Sequence, residues 1–173
     1  MTDNQVSSPL LQMKAISKRF GATVALDKAD FTLRRGEVHA LLGENGAGKS
    51  TLVKILSGAI KPDSGSMLFE NSPYSPSTPL EGRRRGISMI YQELNLAPHL
   101  TVEQNIMLGK EIHSGLFVRR QAMRKKVREA LELVRHPEIS PDVAVRKLSV
   151  AARQVVEIAR ALLDEAKILV MDE

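Results

Sequence analysis

The stretch Gly43 to Thr51 (GENGAGKST) combines three glycines with one lysine and two hydroxyl side chains. Gly43 and Gly48 stand five positions apart and are followed directly by Lys49 and Ser50, which is the spacing of a phosphate-binding loop. Glycine lets several backbone N–H groups point at one anion in conformations that a Cβ would obstruct. We therefore expect this loop to bind the phosphates of a nucleotide.

Each residue type in the loop suits a particular task. The ammonium group of Lys49 would bridge the β and γ phosphates, and the hydroxyl of Ser50 would coordinate Mg²⁺. A helix that begins near Ser50 would add the positive end of its dipole. The residues expected to contact the nucleotide here are Gly43, Glu44, Asn45, Gly46, Ala47, Gly48, Lys49, Ser50 and Thr51.

Two carboxylates follow the apolar run Ile168 to Met171. If that run is a buried strand, Asp172 and Glu173 stand at its C-terminal end, where open parallel sheets bind ligands. Asp172 would reach Mg²⁺ through water, and Glu173 would orient or deprotonate the attacking water. The uncharged amide of Gln92, after another predicted strand, suits Mg²⁺ or the same water. The expected catalytic residues are Glu173, Lys49 and Gln92, and the expected metal ligands are Ser50, Gln92 and Asp172.

The elements that must position the loop are readable from the apolar pattern. Residues 10–16 and 24–33 predict an antiparallel hairpin, and residues 37–42 predict a strand buried on both faces, immediately before the loop. Residues 50–58 have the period of a helix that stops at Gly58. Strand, glycine loop and helix therefore follow one another.

The second half of the chain continues the alternation. Short strands are predicted at 67–69 and 86–91, with a proline-rich surface loop between them at 72–79. Three helices are expected next: one at 101–109 capped by Thr101, an amphipathic one at 121–134, and a long one capped by Ser149. The strand at 168–171 follows them.

This order of elements predicts an α/β fold with a mainly parallel core and an N-terminal antiparallel β subdomain. Residues 1–9 are expected to be a flexible tail, and residues 10–173 one domain with a helical subdomain at about 93–160. The sequence stops directly after a core strand. We therefore expect it to be the N-terminal piece of a longer protein.

Composition excludes several classes of protein. The 173 residues are 43% hydrophobic and contain no cysteine, so a folded chain without disulfides or thiol chemistry is expected. No apolar run approaches the ~20 residues that cross a bilayer, and the N-terminus lacks a secretion signal, which favours the cytosol. The net charge is +5, but with 3% aromatic residues there is little to stack on bases, so no nucleic-acid partner is expected.

Five motifs in order make the chain resemble the nucleotide-binding cassette of ABC transporters. They are Phe20, the loop GENGAGKST, the segment around Gln92, the signature-like LSVAARQ at 148–154, and ILVMDE at the end. The phrases GEVHALLGENGAGKSTL, YQELNLAPHLTVEQNIMLG and VVEIARAL resemble the bacterial sugar-importer ATPases of the ribose, galactose and xylose class. Those proteins carry two cassettes in one chain, and this sequence resembles the larger part of the first.

The resemblance implies a P-loop fold that binds ATP and Mg²⁺ and hydrolyses ATP to energise uptake of a monosaccharide. It implies that Phe20 stacks on adenine and that Ser149, Val150 and Ala151 act in trans on the ATP of a second cassette. It further implies transmembrane permease subunits, an indirect periplasmic sugar-binding protein, and a peripheral location on the cytoplasmic face of the inner membrane. The signature departs from the family's glycines at Val150 and Ala151: valine at the first position is familiar in sugar importers, but Ala151 adds a Cβ where the backbone should approach the γ-phosphate of the partner's ATP.

Two other functions remain open on the sequence. One is a truncated, catalytically silent nucleotide-binding remnant, and we expect the isolated 173-residue chain to be inactive because it lacks the family's switch histidine. The other is a soluble ABC ATPase of DNA repair or translation, which the sugar-importer phrases argue against.

Overall fold

A four-stranded antiparallel sheet begins the chain in the computed structural model, which describes residues 8–90, 95–114 and 117–171. Strand β1 (Leu11–Phe20) pairs antiparallel with β2 (Thr23–Leu33), which confirms the predicted hairpin and extends it. Strands β3 (Ser64–Phe69) and β4 (Ser72–Pro73) complete the order β2-β1-β3-β4. Of the predicted tail, residues 1–7 lie outside the described residues.

Helix α1 (Lys49–Ser57) follows the glycine loop, as predicted. Gly58 ends it in the left-handed conformation, and Leu52, Ile55 and Leu56 supply its buried side. The hydroxyl of Tyr74 donates to the carbonyl of Leu56 at 2.8 Å, and burial raises the pKa of this tyrosine to about 12. The C-terminal end of α1 is therefore fixed from the loop that follows β4.

Helix α2 (Pro79–Arg84) was not predicted from the sequence. Thr78 caps it by accepting from the N–H of Glu81, and Pro79 occupies its first turn, where a missing N–H costs nothing. Gly82 packs so closely on α1 that a Cβ there would lie 2.6 Å from the carbonyl oxygen of Ser57. The predicted surface loop 72–79 thus leads into a helix packed on α1.

The predicted buried strand at 37–42 is wrong in this structure. These residues have no strand assignment and are exposed, Val38 fully and Leu42 to 87%. A strand buried in a parallel sheet needs hydrogen-bonded neighbours at both edges. Within the described residues the parallel sheet consists of two strands only, and both belong to the second half of the chain.

Those two strands are β5 (Ile87–Ile90) and the last strand of the chain, Ile168–Met171, which pair in parallel from Ile87↔Ile168 to Ile90↔Met171. Both were predicted. The second was expected to be buried, yet only Ile168 is buried and Met171 is 62% exposed. In the part of the chain that the structure describes, this strand has a neighbour on one edge alone, which leaves its end open to solvent.

Three helices lie between these strands: α3 (Val102–Met107), α4 (Arg120–Leu133) and α5 (Val150–Leu163), all close to their predicted positions. Two-residue strands β6 (His113–Ser114) and β7 (Phe117–Val118) pair antiparallel, and a 3₁₀ turn spans Val145–Lys147. We number the final strand β8. The core of the three helices is apolar and includes Val102, Ile106, Val127, Leu131 and Val156.

The chain forms two compact units, residues 1–85 and 86–173. The first holds the antiparallel sheet with α1 and α2, and the second holds the short helix α3 and the 14-residue helices α4 and α5 with the parallel strand pair. The longest helices have 14 residues, and within the described ranges none is long and apolar enough to cross a bilayer.

Candidate phosphate-binding site

The glycine loop reaches α1 through two residues in the left-handed region. Gly46 and Gly48 both have φ 88°, a value that side chains bearing a Cβ rarely adopt. At Gly48 a Cβ would also lie 2.4 Å from the carbonyl oxygen of Ala25 in β2. Glycine is therefore required at 48 twice over, by backbone conformation and by contact with the sheet.

The first turn of α1 presents backbone donors to the loop. The N–H groups of Lys49, Ser50 and Thr51 have no helical carbonyl before them, and the capping residue Gly48 has no side chain to accept from them. The first intrahelical bond runs from the N–H of Leu52 to the carbonyl of Gly48 at 2.9 Å. An uncapped helix start behind a glycine loop is the arrangement that binds phosphate.

Lys49 lies across the loop. Its Nζ donates to the carbonyl of Gly43 at 2.6 Å and to the carbonyl of Glu44 at 2.9 Å. The Ala47 N–H donates to the carbonyl of Glu44 at 3.1 Å and closes the turn beneath it. The loop thus carries one ammonium group and leads into an uncapped helix start, two features that suit a phosphate group.

The two hydroxyl residues and the aromatic residue are placed around this loop. Ser50 is exposed and Thr51 is half-buried in the first turn of α1. Phe20 is half-exposed at the end of β1, where it pairs with Thr23, two residues before the Ala25 carbonyl that meets Gly48. The exposed ring thus lies on the hairpin end that borders the loop, which suits it for stacking on a base. Lys18 Nζ is 5.7 Å from the ring centroid.

The signature-like segment begins α5 in the second unit. Ser149 caps the helix, and its Oγ accepts from the N–H of Ala152 at 3.2 Å. Val150 and Ala151 are exposed in the first turn, so their methyl groups face solvent there. Arg153 fixes the approach to this turn by donating to the carbonyls of Val145 and Arg146.

Gln92, Asp172 and Glu173 lie outside the described residues. The structure does describe the strands that precede them, and Ile90 and Met171 are paired at the C-terminal ends of β5 and β8. Chain order therefore puts these three residues immediately after neighbouring parallel strands. Their predicted roles stay predictions.

Sequence analysis overlooked a buried carboxylate in α5. Glu157 is only 8% exposed, and its Oε1 accepts from the backbone N–H of Asn95 at 2.9 Å. Burial raises the pKa of this carboxyl group, while the Asn95 N–H and Arg160 act to lower it. The available signal was one acidic residue inside the apolar run VVEIARAL.

A phosphate-binding loop joined to a helix start, beside a half-exposed aromatic ring, defines a nucleotide-binding protein of the P-loop class. The family model for ABC transporters matches residues 26–173, and the chain belongs to that family.

Curated relatives are importer subunits. The chain is 53% identical over 165 residues to the ribose import ATP-binding protein RbsA 1 of Rubrobacter xylanophilus, covering 95% of this chain and 33% of that protein. It is 47% identical over 166 residues to a putative ribose/galactose/methyl galactoside import ATP-binding protein of Agrobacterium fabrum, covering 96% of this chain and again 33% of the relative. The chain thus spans about a third of the length of these relatives.

Solved structures agree on the fold. The ATP-binding cassette MJ1267 of an ABC transporter, in its ADP conformation, superposes with a TM-score of 0.83 at 29% identity, covering 96% of this chain and 69% of that one. The protein cbiO1 of Clostridium perfringens, part of the ABC transporter complex cbiONQ, gives 0.81 at 31% identity, covering 96% and 66%. These likenesses confirm the predicted fold class, an ABC ATPase cassette of mixed α/β structure.

Proposed function

We propose that the full-length protein is the ATP-binding and ATP-hydrolysing subunit of a bacterial ABC importer that energises uptake of a monosaccharide. The observation that carries the proposal is the loop itself, across which Lys49 bonds to two carbonyls and which leads directly into the uncapped start of α1. The names of the relatives supply the substrate class, since both are sugar import ATP-binding proteins.

In this proposal the loop residues hold the triphosphate of ATP. Lys49 exchanges its bonds to the loop carbonyls for bonds to the β and γ phosphates, and the N–H groups that begin α1 donate to the same oxygens. The ring of Phe20 stacks on adenine. Ser50, Gln92 and Asp172 would hold Mg²⁺, which neutralises the charge that develops on the phosphates when it is bound.

Glu173 is proposed to orient or deprotonate the attacking water, and Gln92 to assist in positioning it. In the assembled importer a second cassette would receive the Ser149 segment, and permease subunits would anchor the protein at the cytoplasmic face of the inner membrane. A periplasmic binding protein would select the sugar on the other side. Alternation of ATP binding and hydrolysis would then drive the permease.

Glu173→Gln in the full-length protein tests the enzymatic part. We expect turnover of ATP to fall by about 100-fold or more, while binding of Mg·ATP stays within about twofold of the wild type, because the amide keeps the shape but loses the base. Unchanged turnover would refute the role of Glu173. The matched control is Glu165→Gln, a surface carboxylate in the turn after α5.

A nucleotide-binding subunit without hydrolysis is the second candidate. It is favoured by Ala151 at the start of α5, whose Cβ stands where the signature backbone would approach the phosphate of a partner cassette's ATP. This candidate predicts that the wild-type full-length protein, alone or with its permease, binds Mg·ATP tightly without turnover at the site that the Ser149 segment completes. Co-purification with membranes would separate both candidates from a soluble ABC ATPase.

A further inference from the structure

One residue of the second unit has both of its backbone polar groups held by a single helix. The N–H of Asn95 donates to Glu157 Oε1 at 2.9 Å, and the carbonyl of Asn95 accepts from Arg160 Nη1 at 3.2 Å. Glu157 and Arg160 are three residues apart on α5 and therefore share one face of the helix. We call this arrangement the Asn95 clamp.

Burying the carboxylate of Glu157 in the clamp costs free energy, and packing alone would not require a carboxylate there. Glu157 follows the fully buried Val156 and is itself buried, so its carboxylate loses most of its hydration. An apolar side chain of similar size would fill the same space more cheaply. A long side chain with an acceptor oxygen at this position is best explained by the bond it makes to a segment 62 residues away in sequence.

The residues after Asn95 are held just as firmly. Asn105 of α3 is fully buried; its Oδ1 accepts from the N–H of Ala97, and its Nδ2 is shared among the carbonyls of Ala97, Leu100 and Thr101. At the far end of the clamp, Lys110 Nζ donates to the carbonyl of Arg160. The stretch 95–101 is therefore hydrogen-bonded to both α3 and α5.

Chain order connects the clamp to the proposed chemistry. Asn95 stands three residues after Gln92, and the clamp lies on the helix that Ser149 caps, eight residues or about 12 Å along its axis. Any displacement of α5 is passed to the chain at Asn95 through two hydrogen bonds.

We infer that Glu157 is a positioning residue for ATP hydrolysis, which couples helix α5 to the chain that follows Gln92. The inference rests on the proposed function. It requires only that the Glu157 side chain be long enough to reach the Asn95 N–H and able to accept from it, so charge is dispensable and length is not.

Steady-state hydrolysis of Mg·ATP by the full-length protein tests this inference with four variants. Glu157→Ala removes the acceptor and Glu157→Asp shortens it, and each should lower kcat by about tenfold with KM for ATP within about twofold, because misplacement affects chemistry more than binding. Glu157→Gln keeps length and an acceptor oxygen and should retain kcat within about twofold. Glu132→Ala, at an exposed position on α4, is the matched control and should match the wild type.

Amide hydrogen exchange at Asn95 reports on the clamp directly. The N–H of Asn95 should exchange slowly in the wild type and in Glu157→Gln, and at least about tenfold faster in Glu157→Asp. If Glu157→Ala does not fold, the comparison of the Asp and Gln variants decides by itself.

Equal kcat values across the Ala, Asp and Gln variants would overturn the inference while leaving the proposed function intact. An equal loss in Asp and Gln would also overturn it, since the charge and not the reach would then matter. A wild-type protein that binds ATP without hydrolysing it would overturn the proposed enzymatic function and the inference together.

Discussion

At the scale of single residues, the phosphate-binding loop is organised by Lys49. Its ammonium group bonds to the carbonyls of Gly43 and Glu44, which holds the side chain over the loop. The carbonyl partners are neutral whereas phosphate oxygens are negatively charged, so exchanging one for the other adds charge–charge attraction to the hydrogen bond and favours the ligand. The lysine is thus pre-positioned for an anion.

Lys49→Ala in the full-length protein should weaken binding of Mg·ATP by about 10- to 150-fold, the equivalent of one lost charge-assisted bond. Titration calorimetry gives the affinity. Lys61→Ala, at an exposed position after α1, is the control and should bind as the wild type does. Equal affinity for Mg·ATP in the wild type, Lys49→Ala and Lys61→Ala would show that Lys49 and its loop do not bind the nucleotide.

Gly48→Ala and Gly36→Ala compare two left-handed glycines with different surroundings. Both substitutions force a Cβ onto φ near +80°, at a cost of about 1 kcal/mol. Only at 48 does the Cβ also meet backbone, at 2.4 Å, whereas at 36 nothing lies within 4 Å. We therefore expect thermal unfolding and ATP affinity to suffer far more in Gly48→Ala, and equal effects would show that the β2 contact is unimportant.

The raised pKa of Glu157 makes a prediction about pH. Burial penalises its charged form, so the folded pKa lies above the unfolded value, and the stability present at acid pH is lost as pH rises through the folded pKa. Its neighbours are the Asn95 N–H and Arg160, which offset the penalty in part. The melting temperature of Glu157→Gln relative to the wild type should therefore rise as the pH increases above 4.5, the ordinary pKa of a glutamate. A difference that shrinks with rising pH would contradict this sign.

At the scale of elements, local patterns were enough for most of the chain. The hairpin β1–β2 follows from its alternation, α1 from the glycines at both ends, and α5 from Ser149 and its apolar stripe. The neighbouring prolines led us to predict a loop in place of helix α2, although Thr78, Pro79 and Glu81 together form a typical helix N-terminus. The run at 37–42 shows the limit, because apolar content predicts a buried strand only where partner strands exist.

The candidate site likewise has a part that local sequence patterns reveal and a part that depends on distant contacts. Spacing alone was sufficient to find the loop and its lysine, because the loop is contiguous in sequence. The Asn95 clamp joins residues 62 positions apart, and no local pattern reports such a contact. The one sequence signal for this contact was a charged residue, Glu157, within an apolar run.

Asn105→Ala tests the anchoring of the stretch 95–101. The substitution leaves the half-buried N–H of Ala97 without its acceptor and removes one donor from the carbonyls of Ala97, Leu100 and Thr101, which keep backbone partners, so we expect a loss of about 1–3 kcal/mol in unfolding free energy. Chemical denaturation of the full-length protein measures the unfolding free energy, and hydrogen exchange in α3 measures the local effect. Gln121→Ala on the exposed side of α4 should change it by less than about 0.5 kcal/mol. A loss no larger than that control's would show that the anchor is dispensable.

At the scale of the whole molecule, the chain carries two compact units that belong to one ABC transporter cassette. It covers 66–69% of the two solved cassettes compared above and about a third of the curated importer subunits. The proposed importer activity is therefore a property to be tested in the full-length protein.

The most direct test of the account is ATP hydrolysis by the full-length protein reconstituted with its permease in lipid vesicles. Hydrolysis is measured with and without a binding protein loaded with ribose, galactose or xylose, for the wild type and Lys49→Ala. The account predicts that one loaded binding protein stimulates hydrolysis several-fold in the wild type and that Lys49→Ala abolishes it. Hydrolysis that ignores the sugars, or that survives in Lys49→Ala, would contradict it.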